Sequence, residues 1–430
     1  MTVDDLSKTL SYRRFIFWSL ALGYVLVFFH RLCPAVVATD MMTDLHADGA
    51  LIGFLSSAYF YPYALMQLPT GLLSDSWGPR KTITLFLCVA CIGSILLGLT
   101  PSPTGALVGR VLVGLGVSTL FVCTLKIFAE WYSVREFIMM TGFLMAMGGV
   151  GSLFAATPMA LVSTWIGWRL SFVLVGLVTA LLAALIWRIV RDRPADRGWP
   201  SPAEHASRAD PPVGLGNGIW QVLARPAFWP LAIWFFCKYG IFTSFAGLWG
   251  GPYLMQVYGV TKGRAGGILS LVAVGMIVGS PLVGYLSNRV LKGRKPALIL
   301  ASVVIVGITA LLAFATERLS LTLIGVLCFG LGVFASAIAV IGFTSARELF
   351  PTQIAGTCFG LLNLFPFAGG AVLQPLLGSI LESHGRIGSA FTLVGYREAF
   401  FVLFLSALVA FVASLFVQET MKGSVELRRK

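Results

Sequence analysis

The chain has 430 residues, of which 57% are hydrophobic and only 11% charged, and its mean hydropathy is +0.87. No ordinary soluble domain has this balance, and apolar runs of about twenty residues exclude a strand-built barrel, in which apolar and polar residues alternate over about ten positions. A net charge of +13 would point to nucleic acid in a soluble protein, but here its placement has another cause.

In chain order, twelve stretches are long and apolar enough to cross a bilayer as helices: 15–39, 51–73, 82–99, 105–131, 138–162, 169–190, 228–252, 265–286, 296–315, 319–343, 354–380 and 397–417, hereafter spans 1 to 12. The expected fold class is an all-α, integral multi-pass membrane protein. Arg13 and Arg14 precede span 1 as they would in a signal peptide. That run is long, leads into His30 and Arg31 and lacks a clear cleavage site, so it is expected to stay as the first span. Six spans lie on each side of the proline-rich stretch 191–227, the longest connection between spans. Residues 1–190 are therefore expected to form an N-terminal six-helix half, 191–227 a cytoplasmic linker and 228–430 a C-terminal half.

With both termini cytoplasmic, the cytoplasmic segments hold 21 of the 31 Lys and Arg residues, the opposite face 6 and the spans 4. The positive-inside rule selects this orientation, which accounts for the basic balance without nucleic acid. The lack of a targeting extension fits a bacterial inner membrane. The seven cysteines all fall inside spans without metal-ligand spacing and read as small packing residues. No metal, cofactor or oligomer is expected, and no nucleophile or phosphate loop points to an enzyme.

Two loops repeat. After span 2 the chain reads Gly71-Leu-Leu-Ser-Asp75-Ser-Trp-Gly78-Pro-Arg80-Lys81, and 213 residues later, after span 8, Gly284-Tyr-Leu-Ser-Asn288-Arg-Val-Leu-Lys-Gly293-Arg294-Lys295. Gly71 and Gly284 would let helices approach closely, and Asp75 would lie near the positive N-terminal end of span 3. The first loop resembles the major facilitator superfamily pattern Gly-x-x-x-Asp-(Arg/Lys)-x-Gly-(Arg/Lys)-(Arg/Lys), with Ser76 in place of the usual cation and Pro79 intruding. Arg110-Val-Leu-Val-Gly114-Leu-Gly116 in span 4 is similar to the Arg-x-x-x-Gly-x-Gly of the same superfamily. The resemblance covers essentially the whole chain. It implies two pseudo-symmetric six-helix bundles that rock about a midplane site, with Gly71, Asp75, Gly78, Arg80, Lys81 and Arg110 in gating or coupling roles.

Four cations lie inside spans, Arg31, Arg110, Lys126 and Lys238, and no Asp or Glu lies at comparable depth. Arg31 is about 12 Å along the helix from the nearer end of span 1, too deep to reach outside water easily. A cation at such depth costs several kcal/mol unless it meets an anion in a protein cavity. The set therefore points to a small anionic solute. Lys126-Ile-Phe-Ala-Glu-Trp131-Tyr132-Ser133 is similar in spacing to the end of helix 4 in glycerol-phosphate and hexose-phosphate transporters, Lys238-Tyr239-Gly240-Ile241 to their helix 7, and Arg31 to their helix 1 arginine. That resemblance implies that Arg31 and Lys238 bind the anion and that Lys126 assists. Lysine lacks the planar fork of arginine, so a carboxylate stays nearly level with a phosphate ester.

Tyr59, Tyr63 and Asn363 are candidate walls of the site. His30 is the histidine inside a span and could couple protons, although the surrounding positive charge weighs against it. The position before the branch's helix 1 arginine, commonly Asp, is His30 here, which shifts weight from proton symport to exchange against phosphate or another anion. A proton-driven multidrug exporter and a transporter-like sensor are the alternatives. The first would favour a buried carboxylate, and the second would bind without moving solute.

Overall fold

The computed structural model describes residues 3–132, 134–199, 215–335, 337–349 and 352–421. In a bilayer core no water reaches an exposed N–H or C=O, so a crossing segment must satisfy its own backbone, and the described chain is almost wholly helical. Ten helices among the described residues are individually long and apolar enough to cross a membrane. One of them, Val134–Ile189, turns at Gly167 (φ 78°, ψ 159°) and so carries both span 5 and span 6. Span 2 escapes the length criterion because it is built from three short helices, Gly49–Ser57, Phe60–Leu65 and Gln67–Ser76. This is the all-α, twelve-span fold expected.

Several spans are broken. Span 1 consists of Val3–Leu32 and Pro34–Asp44, interrupted at Cys33, because Pro34 has no N–H to continue the ladder. Span 7 runs from Phe228 through a π-helical turn at Phe245–Trp249 to Tyr258. Further π turns lie at Leu286–Val290 and Ile338–Gly342. Such turns are frequent where a helix serves a functional site.

The described residues pack into two compact units. One draws on Met1–Arg31, Ala58–Ala155 and Val162–Arg208, the other on Leu32–Ser57, Ala156–Leu161 and Ala209–Lys430. In the second unit, Trp234, Phe235, Leu298, Ala301, Ile341 and Leu362 form part of one buried apolar cluster. Elsewhere in the second unit, Lys262 is ion-paired with Asp40, and the Gly49 N–H donates to Glu382 (2.8 Å). Gly251 touches the Ala35 carbonyl so closely that an added Cβ would lie 1.7 Å from the oxygen.

The loop repeat has a structural counterpart that its sequence did not disclose. Pro79 opens the helix Pro79–Leu99 after Gly78 at φ 88°, and the Arg80 N–H donates to Asp192 Oδ1 (2.7 Å), just beyond span 6. In the second unit, Arg294 and Lys295 open the helix Arg294–Phe314, and their N–H groups donate to the two carboxylate oxygens of Glu419 (2.9 and 3.1 Å), beyond span 12. Each carboxylate meets the orphan N–H groups and positive end of a helix dipole. The backbone of Asp75 lies in Gln67–Ser76, and its side chain lies outside the described residues. Burial raises the Asp192 carboxyl above its ordinary range, and the Arg80 N–H partly offsets this. Ionised Asp192 is thus favoured less in the fold than in the unfolded chain, and its stabilising contribution falls as pH rises through the raised value. Asp192→Asn, which keeps an acceptor, should leave thermal stability nearly unchanged at pH 7. Asp192→Ala should cost about 1 kcal/mol, seen as a lower melting temperature in detergent.

Candidate functional site

Arg31 ends the first unit's stretch of span 1, one residue from the helix break, and only 4% of it is exposed. Its guanidinium carbon lies 4.6 Å from the ring centre of Phe28, 5.0 Å from Tyr63 and 5.9 Å from Tyr59. Phe28 is the preceding residue but two on the same helix, whereas Tyr59 and Tyr63, a helical turn apart, come from span 2 and stack on each other at 5.6 Å. Arg110 reaches the same place from span 4. It is 1% exposed, donates to the His30 carbonyl (3.0 Å) and lies 5.3 Å from the Tyr59 ring centre. Two guanidinium groups therefore address one tyrosine ring. Cation–π attraction contributes about 2 kcal/mol or more when desolvated, and it leaves both positive charges in place.

The Arg110-x-x-x-Gly114-x-Gly116 motif builds this arrangement. At Gly114 a Cβ would fall 2.1 Å from the Tyr59 carbonyl oxygen, so only glycine lets span 2 pass this close to span 4. One turn earlier, Arg110 then meets the Tyr59 ring. Gly114→Val should displace Tyr59 and destabilise the protein by about 1–3 kcal/mol, with a matching fall in melting temperature; an unchanged melting temperature would contradict this role.

The remaining predicted residues are placed differently. The His30 imidazole is fully buried beside Arg31, and its backbone rather than its ring receives Arg110. Lys126 is half-buried on Leu120–Trp131. Trp131 and Tyr132, from the same motif, tie helix ends together: Trp131 Nε1 donates to the Arg191 carbonyl (2.9 Å), and the Tyr132 hydroxyl donates to the Arg13 carbonyl (3.0 Å). Ser133 lies outside the described residues. Arg80 stacks over Trp187 at 4.4 Å and Lys81 is exposed. Among the described residues a Cβ on Gly71 would meet no neighbouring helix and one on Gly284 only Val340 at 3.4 Å, so neither glycine makes the close helix approach expected of it.

In the second unit, Lys238 is 3% exposed. Its Nζ donates to the Ala301 carbonyl of span 9 (2.9 Å) and sits 5.5 Å from the Trp234 ring centre. Trp234 is held in turn by its Nε1 bond to Ser302 Oγ (2.8 Å). Asn363 is half-buried on Thr352–Ser383. Gln374, further along that helix, donates through its side-chain amide to the Thr243 carbonyl (2.9 Å) and accepts Trp249 Nε1 on its backbone carbonyl (3.0 Å), which locks span 11 to span 7. Sequence reasoning missed Phe28, whose i, i+3 spacing from Arg31 was the available signal.

A sequence model of the Major Facilitator Superfamily matches residues 20–375 and 251–429 of the chain. Among its relatives, the probable galactarate/D-glucarate transporter GarP of Escherichia coli is 24% identical over 451 residues, covering 97% of both proteins. A probable hexose phosphate transport protein of Chlamydia trachomatis is 23% identical over 418 residues, covering 92% of this chain and 90% of its own. Both names fall in the anion branch that Lys126, Lys238 and Arg31 resemble. Among solved structures, a bacterial homolog of the human lysosomal transporter Spinster, inward-facing and unoccupied, superposes with a TM-score of 0.74 over 94% of this chain and 96% of that one, at 20% identity. A family match that spans nearly the whole sequence, a twelve-span helical fold and this structural likeness together place the chain in the Major Facilitator Superfamily.

Proposed function

We propose that this protein is a secondary active transporter of a small organic anion, a phosphate ester or a carboxylate, working by alternating access, and that Arg31 is its principal anion-binding residue. One observation carries the reading: the guanidinium groups of Arg31 and Arg110 converge on the Tyr59 ring, in a part of the sequence that has no Asp or Glu at comparable depth. Like charges in a low-dielectric site oppose each other, and an entering anion would relieve that cost. Tyr59 and Tyr63 would supply the walls, and Lys238 would be the second cation to engage the solute. A ligand shifts a conformational equilibrium only through its differential affinity for the states, and engaging a second cation in one state alone would provide that difference.

The anion-transporting relatives named above support the substrate class, and absence of a carboxylate beside Arg31 in sequence favours exchange over proton symport. The test is counterflow in proteoliposomes with labelled phosphate esters and mono- and dicarboxylates, for wild type and Arg31→Gln. Counterflow of at least one anion that is lost in the variant is the expected result. Binding with no counterflow would instead indicate a sensor, and movement of lipophilic cations alone would indicate an exporter; either overturns the proposal.

A further inference from the structure

Spans 3 and 6 leave a groove of about 760 Å³ between them in the first unit. Leu85, Cys88 and Ile92 line one wall, and Ala180 and Ala184 the other. The groove is open because span 6 presents Ala180 and Ala184 to it, while Leu182 and Ile186 are buried. Its chemistry changes along its length. The deep part is apolar, whereas the mouth holds Trp77, Trp187 and the exposed amine of Lys81. Arg80 stacks on Trp187 at that level, and Arg188 is exposed on the next residue. Among the described residues, Asp192 accepts from the Arg80 N–H and offsets part of the Arg80 charge, with Asp196 nearby.

These features fit one kind of occupant. From Lys81 to Ile92 the helix rises about 16 Å, close to half of the roughly 30 Å hydrocarbon thickness of a bilayer. The groove thus has the depth of one leaflet. Tryptophans favour the level of lipid headgroups, and the cations lie on the face that holds the Lys and Arg excess of the sequence. We propose that the groove binds an anionic glycerophospholipid, with an acyl chain between spans 3 and 6 and the phosphodiester headgroup on Lys81 and Arg80. An uncharged or zwitterionic lipid fills the apolar part equally well but brings no net negative charge to the exposed Lys81 amine.

The test uses the purified full-length protein, delipidated in detergent and titrated with phosphatidylglycerol or phosphatidylcholine of equal chain length, with bound lipid counted by native mass spectrometry. Wild type should retain phosphatidylglycerol more tightly. Lys81→Gln, at an exposed position, should weaken that retention about fivefold, the effect of one cation near an anionic headgroup. Ala184→Trp, which fills the groove, should weaken retention of both lipids. Millimolar inorganic phosphate should displace neither, because it cannot occupy the apolar wall. Equal retention of the two lipids by wild type, no effect of Lys81→Gln, or displacement of lipid by inorganic phosphate would each overturn the proposal.

Discussion

Arg31→Gln is expected to lower the initial rate of anion transport at least hundredfold while the purified protein keeps its wild-type melting temperature. Removing one member of a buried charge pair costs about 2–5 kcal/mol, and each 1.4 kcal/mol is a factor of ten. In the ligand-free protein the same change removes a cation whose guanidinium faces three aromatic rings, so loss of those contacts is offset by relief of repulsion from Arg110. Arg31→Lys should fall between the two, because it keeps the charge and loses the planar fork that pairs with a phosphate or carboxylate. Substrate stabilisation, read as a rise in melting temperature on adding the anion, should vanish in Arg31→Gln. A variant that transports at the wild-type rate would remove Arg31 from the mechanism.

The second large effect is expected at Lys238, where two roles predict the same change in stability and different transport rates. In this conformation its amine is bonded to the Ala301 carbonyl within an apolar cluster that includes Trp234, Leu298 and Ala301. A buried ammonium so placed is costly, and replacing such a group by an apolar side chain of similar size is often neutral or stabilising. Lys238→Met should therefore leave the melting temperature unchanged or raise it, since the Ala301 carbonyl already serves the span 9 ladder. If Lys238 engages the anion during transport, the same variant should lose at least tenfold in rate. Full activity together with a raised melting temperature would reduce Lys238 to a packing residue.

The architecture was legible in the sequence because the bilayer imposes a length and a polarity on each crossing. Spans 5 and 6 were separable even though one helix runs through both, since Gly167 and Arg169 interrupt the apolar pattern between them. The division of span 2 into three short helices was not legible, because its residues are as apolar as those of an unbroken one. Arg31 is singled out in the sequence by its depth and by resemblance, and Tyr59 and Tyr63 as aromatic residues of span 2 that could wall a site; their contacts with the Arg31 guanidinium are visible only in the fold. The direction taken by Lys238 was not, because depth in a helix fixes how far a side chain is from water and says nothing of which neighbour it meets. Asp192 and Glu419 were missed for a related reason: they lie more than a hundred residues from the helix starts they serve, and only the folded chain brings them there.

Those two carboxylates also bear on how the protein is made. The N-terminus of span 3 waits for a residue 112 positions further on, and that of span 9 for one 125 positions further on. During synthesis each of these helices enters the membrane with its first N–H groups still uncapped, and the bond forms only after the sixth helix of the same set has left the ribosome. Either helix start can therefore meet its carboxylate only in a chain that extends past residue 192 or residue 419.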